Sequence, residues 1–357
     1  MKGKHNGKVS LWKFIFCIVI IGFHLNVMQY YKNTNYGFLY GSIAVEFFFI
    51  VSGYLLAKKA LTTEYMHNTG ETTKNYILNK IKKIFPYLLF SFIMGFIATN
   101  IFYNYTKSQN INSIFDLFFM YCSGIKYNSM VPIAWYLSAM LVTDIILFPI
   151  IYRYKENYVY IICPIIIFLL AGYLSYNYGE LTKVETWMGI TTVGTLRGIF
   201  AMNIGVFIYK ISERIKKINY TSLGNILLTI FEITGFISIF FIIKTENAHA
   251  KYDFIMVIIM ANSIMLAFSE KTLLLNFLNN KFVYYLEKLS LPIFLNQHWI
   301  LMSMNNIIKI NGYSRNFYLE FIIAIILSII IGIADLFIIK LTKKICNKIR
   351  PVLIKTQ

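Results

Sequence analysis

Two ionisable side chains stand in the first apolar run, "WKFIFCIVIIGFHL" at residues 12–25: Lys13 near its start and His24 near its end. A lysine suits a phosphate, and an imidazole suits proton transfer near neutral pH. Eleven helical residues return to within roughly 20° of the same face and advance about 16 Å, so one helix face would carry a cation at one depth and a base at another. Ionisable groups in hydrocarbon cost about 2.5–3.5 kcal/mol on insertion scales, and they mark functional sites by default. The bland readings are a boundary lysine reaching for the headgroups and a histidine in a helix contact.

Further polar groups follow in later apolar runs. "GSIAVEFFFIVSGYLLAKK" puts Glu46 among phenylalanines. A carboxylate there must bind a proton or find a partner, and His24 is a candidate: a carboxylate on one imidazole nitrogen would leave the other as a base. Pairing with a lysine for packing is the alternative. Ser52 and Gly53 also suit close helix approach. "NKIKKIFPYLLF" sets Lys80, Lys82 and Lys83 before Pro86, either as a lipid-facing basic cluster or as a phosphate site. "VPIAWYLSAML" carries Trp135 and Tyr136, "GTLRGIFAMNIG" buries Arg197, and "EKLSLPIFLNQHWI" groups Ser290, Asn296, Gln297 and His298. Asp144, Glu232 and Asp335 fall in apolar runs outside any motif and read as packing or bundle-facing pairs.

The elements holding these groups are membrane helices. The 357 residues are 57% hydrophobic, 17% aromatic and 14% charged, outside the range of a soluble globular domain. Apolar runs of about 18 or more residues recur, each long enough to cross roughly 30 Å of hydrocarbon, and β-barrel alternation is absent. The chain is expected to be an all-α polytopic bundle with ten spans near 11–29, 41–57, 84–103, 130–151, 157–176, 190–209, 223–243, 252–268, 284–304 and 317–340. Segment 111–121 is too short to cross and is expected at an interface. The polar stretch within 58–83 is expected to be a flexible loop. The first run lacks a small-residue cleavage site and reads as a retained span, not a signal peptide.

Lysine and arginine favour cytoplasmic loops. With both termini inside, 25 of the 34 fall in six cytoplasmic segments, eight in external loops, and Arg197 within a span. The net charge of +18 is thus spread over short loops and points to anionic lipid, not nucleic acid. Cysteines at 17, 122, 163 and 346 form neither a metal pattern nor a disulfide framework. No repeat, linker or separate soluble domain is visible, so an active site is expected within the bundle or at its edge.

In order, these segments resemble the acyltransferase-3 family of membrane O-acyltransferases. The resemblance rests on Lys13 and His24 at the family's basic-to-histidine spacing. It continues through Ala44, Val45, Glu46, Phe47, Phe48, Ser52 and Gly53, then Lys80, Lys83 and Pro86, then Trp135, Arg197 and Gly198, and ends with Ser290, Phe294 and Leu295. It spans nearly the whole chain. Lysine replaces the usual arginine at positions 13 and 80–83, and Gln297 falls where the family has histidine, with His298 one place later.

The resemblance implies transfer of an acyl group, most simply acetyl from acetyl-coenzyme A, to a hydroxyl of a surface polysaccharide or its lipid-linked precursor. No permanently bound cofactor is implied. Lys13, Lys80, Lys83 and Arg197 would hold the donor, with Arg197 alternatively polarising the thioester carbonyl. His24 and Glu46 would be catalytic, and Ser52, Trp135 and His298 would line the substrate site. The bias toward Ile, Asn, Lys and Tyr suggests an AT-rich bacterial genome and a cytoplasmic-membrane location. Competing readings are a transporter or flippase, which predicts a repeat in the hydropathy pattern, and a polymerase, which predicts a large basic external loop. A purely structural role leaves the alignment of Lys13 with His24 unexplained.

Overall fold

A computed structural model describes residues 6–30, 38–64, 68–244 and 252–354. The protein is an all-α polytopic membrane bundle. Its long helices are α1 (Gly7–Leu25), α2 (Ala44–Thr62), α3 (Thr69–Tyr103), α4 (Trp135–Asn157), α5 (Cys163–Tyr178), α6 (Val193–Lys217), α7 (Ser222–Lys244), α8 (Asp253–Phe268), α9 (Lys281–Asn311) and α10 (Phe317–Ile354). They follow the ten expected segments in order. Among the described residues six stretches are long and apolar enough to cross a membrane, and one of these, Pro132–Tyr178, runs through both α4 and α5. Lys2, Lys4, Lys32, Lys251 and Lys355, counted in the charge asymmetry, lie outside the described residues.

Two expectations about the connections are corrected. Most of the polar stretch before the third span is helical, because α3 begins at Thr69, where the Asn68 side chain accepts from the Glu71 amide at 2.9 Å. Its 35 residues extend about 52 Å, well beyond the hydrocarbon thickness. The last helix likewise continues past 340 to Ile354. Segment 111–121 is short helical turns with a buried Asp116, whose carboxylate accepts from Tyr127, Ser129 and the amides of Met130 and Val131. Among the described residues Cys17, Cys122 and Cys163 are buried and free, as packing residues would be.

Side-chain pairings reveal the helix directions. Glu46 meets Arg197 while Tyr54 meets Ser212, so α2 and α6 run the same way. Lys13 meets Glu287 while Cys17 meets Ser290, so α1 and α9 do too, and Ser91 with Leu295 places α3 beside α9. Lys80 and Tyr76 meet Asp144 and Phe148 in reversed order, so α3 and α4 oppose each other. These directions are the ones alternating spans require.

The ends of α2, α4 and α6 and the starts of α3 and α9 consequently share one end of the bundle, which carries Lys59, Lys80, Lys83, Lys155, Lys216 and Lys288. At the centre α2 packs most closely on α6. A Cβ added to Gly53 would overlap the Met202 carbonyl, and one on Gly205 would overlap that of Ile50. Small residues in membrane helices permit this backbone approach.

Candidate functional site

The site is built around two cavities, one at each end of the bundle. Near the end away from the lysines, a cavity of about 370 Å³ is lined by His24, Trp135, Arg197 and His298, with Phe294 and Val45 among its apolar walls. At the basic end, a cavity of about 750 Å³ is lined by Ser52, Lys59, Tyr76, Asn79, Lys80 and Lys83.

Arg197 is 1% exposed on α6 and forms a two-pronged pair with Glu46 on α2: Nε donates to Oε1 at 2.8 Å and Nη2 to Oε2 at 2.7 Å. Its guanidinium also lies 5.1 Å from the centre of the Trp135 ring. A planar guanidinium offers a parallel pair of N–H groups that a lysine cannot, so this geometry explains an arginine at this buried position. The pair removes two isolated charges from hydrocarbon, and losing one partner would strand the other.

This arrangement corrects two sequence expectations. Glu46 does not orient His24, because both of its oxygens accept from Arg197. Arg197 does not join the lysines as a phosphate ligand, because it sits in the His24 cavity with one guanidinium edge committed to Glu46. The sequence showed each group as an intramembrane charge, but their separation of about 150 positions hid the pairing.

The neighbour of His24 is instead Gln297 on α9, whose carboxamide faces the imidazole; His298 lies within electrostatic range. Gln297 is fully buried, and its Nε2 donates to the Phe294 carbonyl at 3.0 Å, leaving Oε1 without a partner. The Nδ1 atoms of His24 and His298 are likewise buried and unpartnered. His24 and His298 both line the cavity, and two buried, unpaired imidazole nitrogens there are costly unless a ligand completes them.

The shared face of Lys13 and His24 is real, and both residues abut α9. Lys13 lies outside the large basic cavity, however. Its Nζ donates to Glu287 at 2.9 Å in a separate cavity that also contains Lys58, Glu213, Lys216 and Glu270. Lys80 and Lys83 share the larger cavity with Lys59, which sequence reasoning missed, although the paired lysines ending α2 were a visible signal. Lys80 is tied to Asp144, a fully buried carboxylate on α4.

Ser52 lines the basic cavity, away from His24. Its Oγ lies 3.2 Å from the Tyr136 hydroxyl, and the Tyr136 ring lies 5.6 Å from that of Phe294. A Ser52, Tyr136 and Phe294 chain therefore stands between the two cavities. Among the described residues, no cluster of three His, Cys, Asp or Glu side chains is arranged to hold a metal ion.

A family model described as an acyltransferase domain, Acyl_transf_3, matches residues 6–334. The chain belongs to the acyltransferase-3 family. Comparisons with curated proteins and with solved structures found no match. As a membrane acyltransferase, the protein must bring an activated acyl group and an acceptor to one place. The two cavities divide the residues into a charge-rich set and a set with unpartnered imidazoles.

Proposed function

We propose that the protein transfers an acyl group, most simply acetyl from cytoplasmic acetyl-coenzyme A, to a hydroxyl of a cell-surface polysaccharide or its lipid-linked precursor. The bacterial cytoplasmic membrane is its proposed location. The basic end faces the cytoplasm under the positive-inside rule. Lys59, Lys80 and Lys83 receive the nucleotide phosphates there, and the thin pantetheine arm passes the Ser52 and Tyr136 contact to bring the thioester near His24.

The acceptor hydroxyl oxygen attacks the thioester carbonyl while His24 takes its proton. Collapse of the tetrahedral intermediate breaks the carbon–sulfur bond, and the coenzyme A thiolate recovers that proton from His24. Gln297 Oε1 is positioned to accept from one imidazole nitrogen and so to leave the other as the base. Arg197, held by Glu46 and covered by Trp135, supplies positive potential for the developing oxyanion. His298 lines the acceptor side of the same space.

The observation that supports this reading is the alignment of a lysine-lined cavity with a second cavity holding His24, in a chain of the acyltransferase-3 family. The test is thiol release from acetyl-coenzyme A by purified protein in nanodiscs supplied with deacetylated surface polysaccharide. Wild type should release thiol and label the glycan, whereas His24→Ala at equal abundance should do neither. Equal activity in both would remove His24 from the chemistry, and coenzyme A binding to neither would remove coenzyme A as the donor.

A further inference from the structure

A third cavity, of about 790 Å³, opens at the same end as His24, between the segments 105–129 and 185–192. Tyr121, Pro132 and Glu185 line both this cavity and the His24 cavity, so the two adjoin. Its other walls include Tyr105, Tyr127, Asn128, Trp187 and Thr192.

The walls are held in place from below. The buried carboxylate of Asp116 accepts from the Tyr127 hydroxyl at 2.9 Å and from two backbone amides, anchoring the first segment. The second segment is a hairpin. Val193 donates to the Thr186 carbonyl at 2.9 Å, Gly194 to that of Val184 at 3.0 Å, and Met188 to that of Thr191 at 2.8 Å. Trp187 stands on this hairpin with its ring against Gly124, where φ is +81° and an added Cβ would strike the indole. Trp187 remains 47% exposed.

Thr192 points to a ligand. It precedes α6 in the position where a threonine side chain ordinarily caps the helix, yet its hydroxyl makes no cap bond. The residue is 5% exposed and its Oγ1 has no hydrogen-bond partner, although it lines the cavity. A buried hydroxyl left unpaired is unfavourable until something in the cavity bonds to it.

We propose that this outer cavity is a glycosyl-binding subsite for the acceptor. Trp187 and the neighbouring tyrosines cover the C–H face of a pyranose ring, while Thr192, Asn128 and Glu185 bond its hydroxyls. A sugar needs both an apolar ring contact and several polar partners, and Trp and Tyr combine an apolar face with a polar edge. The adjoining unit of the glycan then passes Tyr121 and Pro132 and presents a hydroxyl to His24. This inference rests on the reading of the acceptor as a glycan.

The test uses the full chain in nanodiscs, radiolabelled acetyl-coenzyme A, and alkali-deacetylated surface polysaccharide from the producing strain. Trp187→Ala and Thr192→Val should each raise KM for the polysaccharide, by about tenfold and about fivefold, with KM for acetyl-coenzyme A unchanged. Trp187→Phe should restore most of the loss, which a role confined to folding would not predict for an exposed ring. Unchanged polysaccharide KM in Trp187→Ala and Thr192→Val would overturn the subsite while leaving acyl transfer intact. If wild type labels no glycan, the acceptor reading fails. In that case, quenching of Trp187 fluorescence by the polysaccharide, read against Trp187→Phe, still tests the subsite, and no quenching overturns it too.

Discussion

The basic cavity and the His24 cavity treat charge in opposite ways. Around the basic cavity, Lys83 and Lys59 are exposed and Lys80 is one-fifth exposed, so their charges remain available to an anionic ligand. In the His24 cavity Arg197 is almost fully buried and already paired, and the buried groups left without partners are the Nδ1 atoms of His24 and His298. Under the proposed function, long-range attraction lies where the phosphates of the donor would arrive. Short-range, directional bonding lies where, on that proposal, His24 takes a proton. The difference implies that mutations at the two ends should separate donor affinity from turnover.

The largest effect should come from His24→Ala, a fall of about 10² to 10⁴ in kcat with coenzyme A affinity unchanged, measured by acetyl transfer and by direct binding. A fall in affinity equal to that in kcat would break the division of labour between the cavities. Next, Glu46→Ala strands Arg197 in the bundle and should cost about 3–5 kcal/mol, read as a lowered thermal midpoint in detergent. The double change Glu46→Leu with Arg197→Leu should recover much of that stability without recovering activity. If activity also returns, Arg197 is structural alone.

Lys83→Ala should raise the Kd for coenzyme A about tenfold, or about 1.4 kcal/mol, with kcat and thermal midpoint preserved. The loss should shrink at high salt, because exposed charges are screened. Lys80→Ala is a poorer probe, since it leaves Asp144 buried without its cation. Tyr136→Phe, which frees Ser52 from the contact between the cavities, should cost about 0.5–1.5 kcal/mol in stability. The smallest effect belongs to Lys13→Met. Its partly solvated pair with Glu287 is worth about 0–1 kcal/mol, and a tenfold change in coenzyme A affinity there would move the donor site toward α1.

The sequence by itself determined the membrane class, the order of ten apolar segments and the family. Those properties are local or additive: hydrocarbon demands long apolar helices, and positive charge gathers in short loops at one end. It also flagged His24, Glu46, Arg197 and the Lys80 cluster, because an intramembrane charge is conspicuous wherever it falls. Only the tertiary structure decided who meets whom. It gave Glu46 to Arg197 and set Gln297 against His24, although positions 24 and 297 are far apart in the chain. It sent Lys13 and Ser52 to other cavities, and it joined Tyr121, Trp187 and Thr192 from loops that carry no motif. Helix periodicity fixes the face on which a residue lies, whereas its partner depends on which helix packs against that face. In this bundle that choice turns on close approaches such as Gly53 with Met202, which no local pattern encodes.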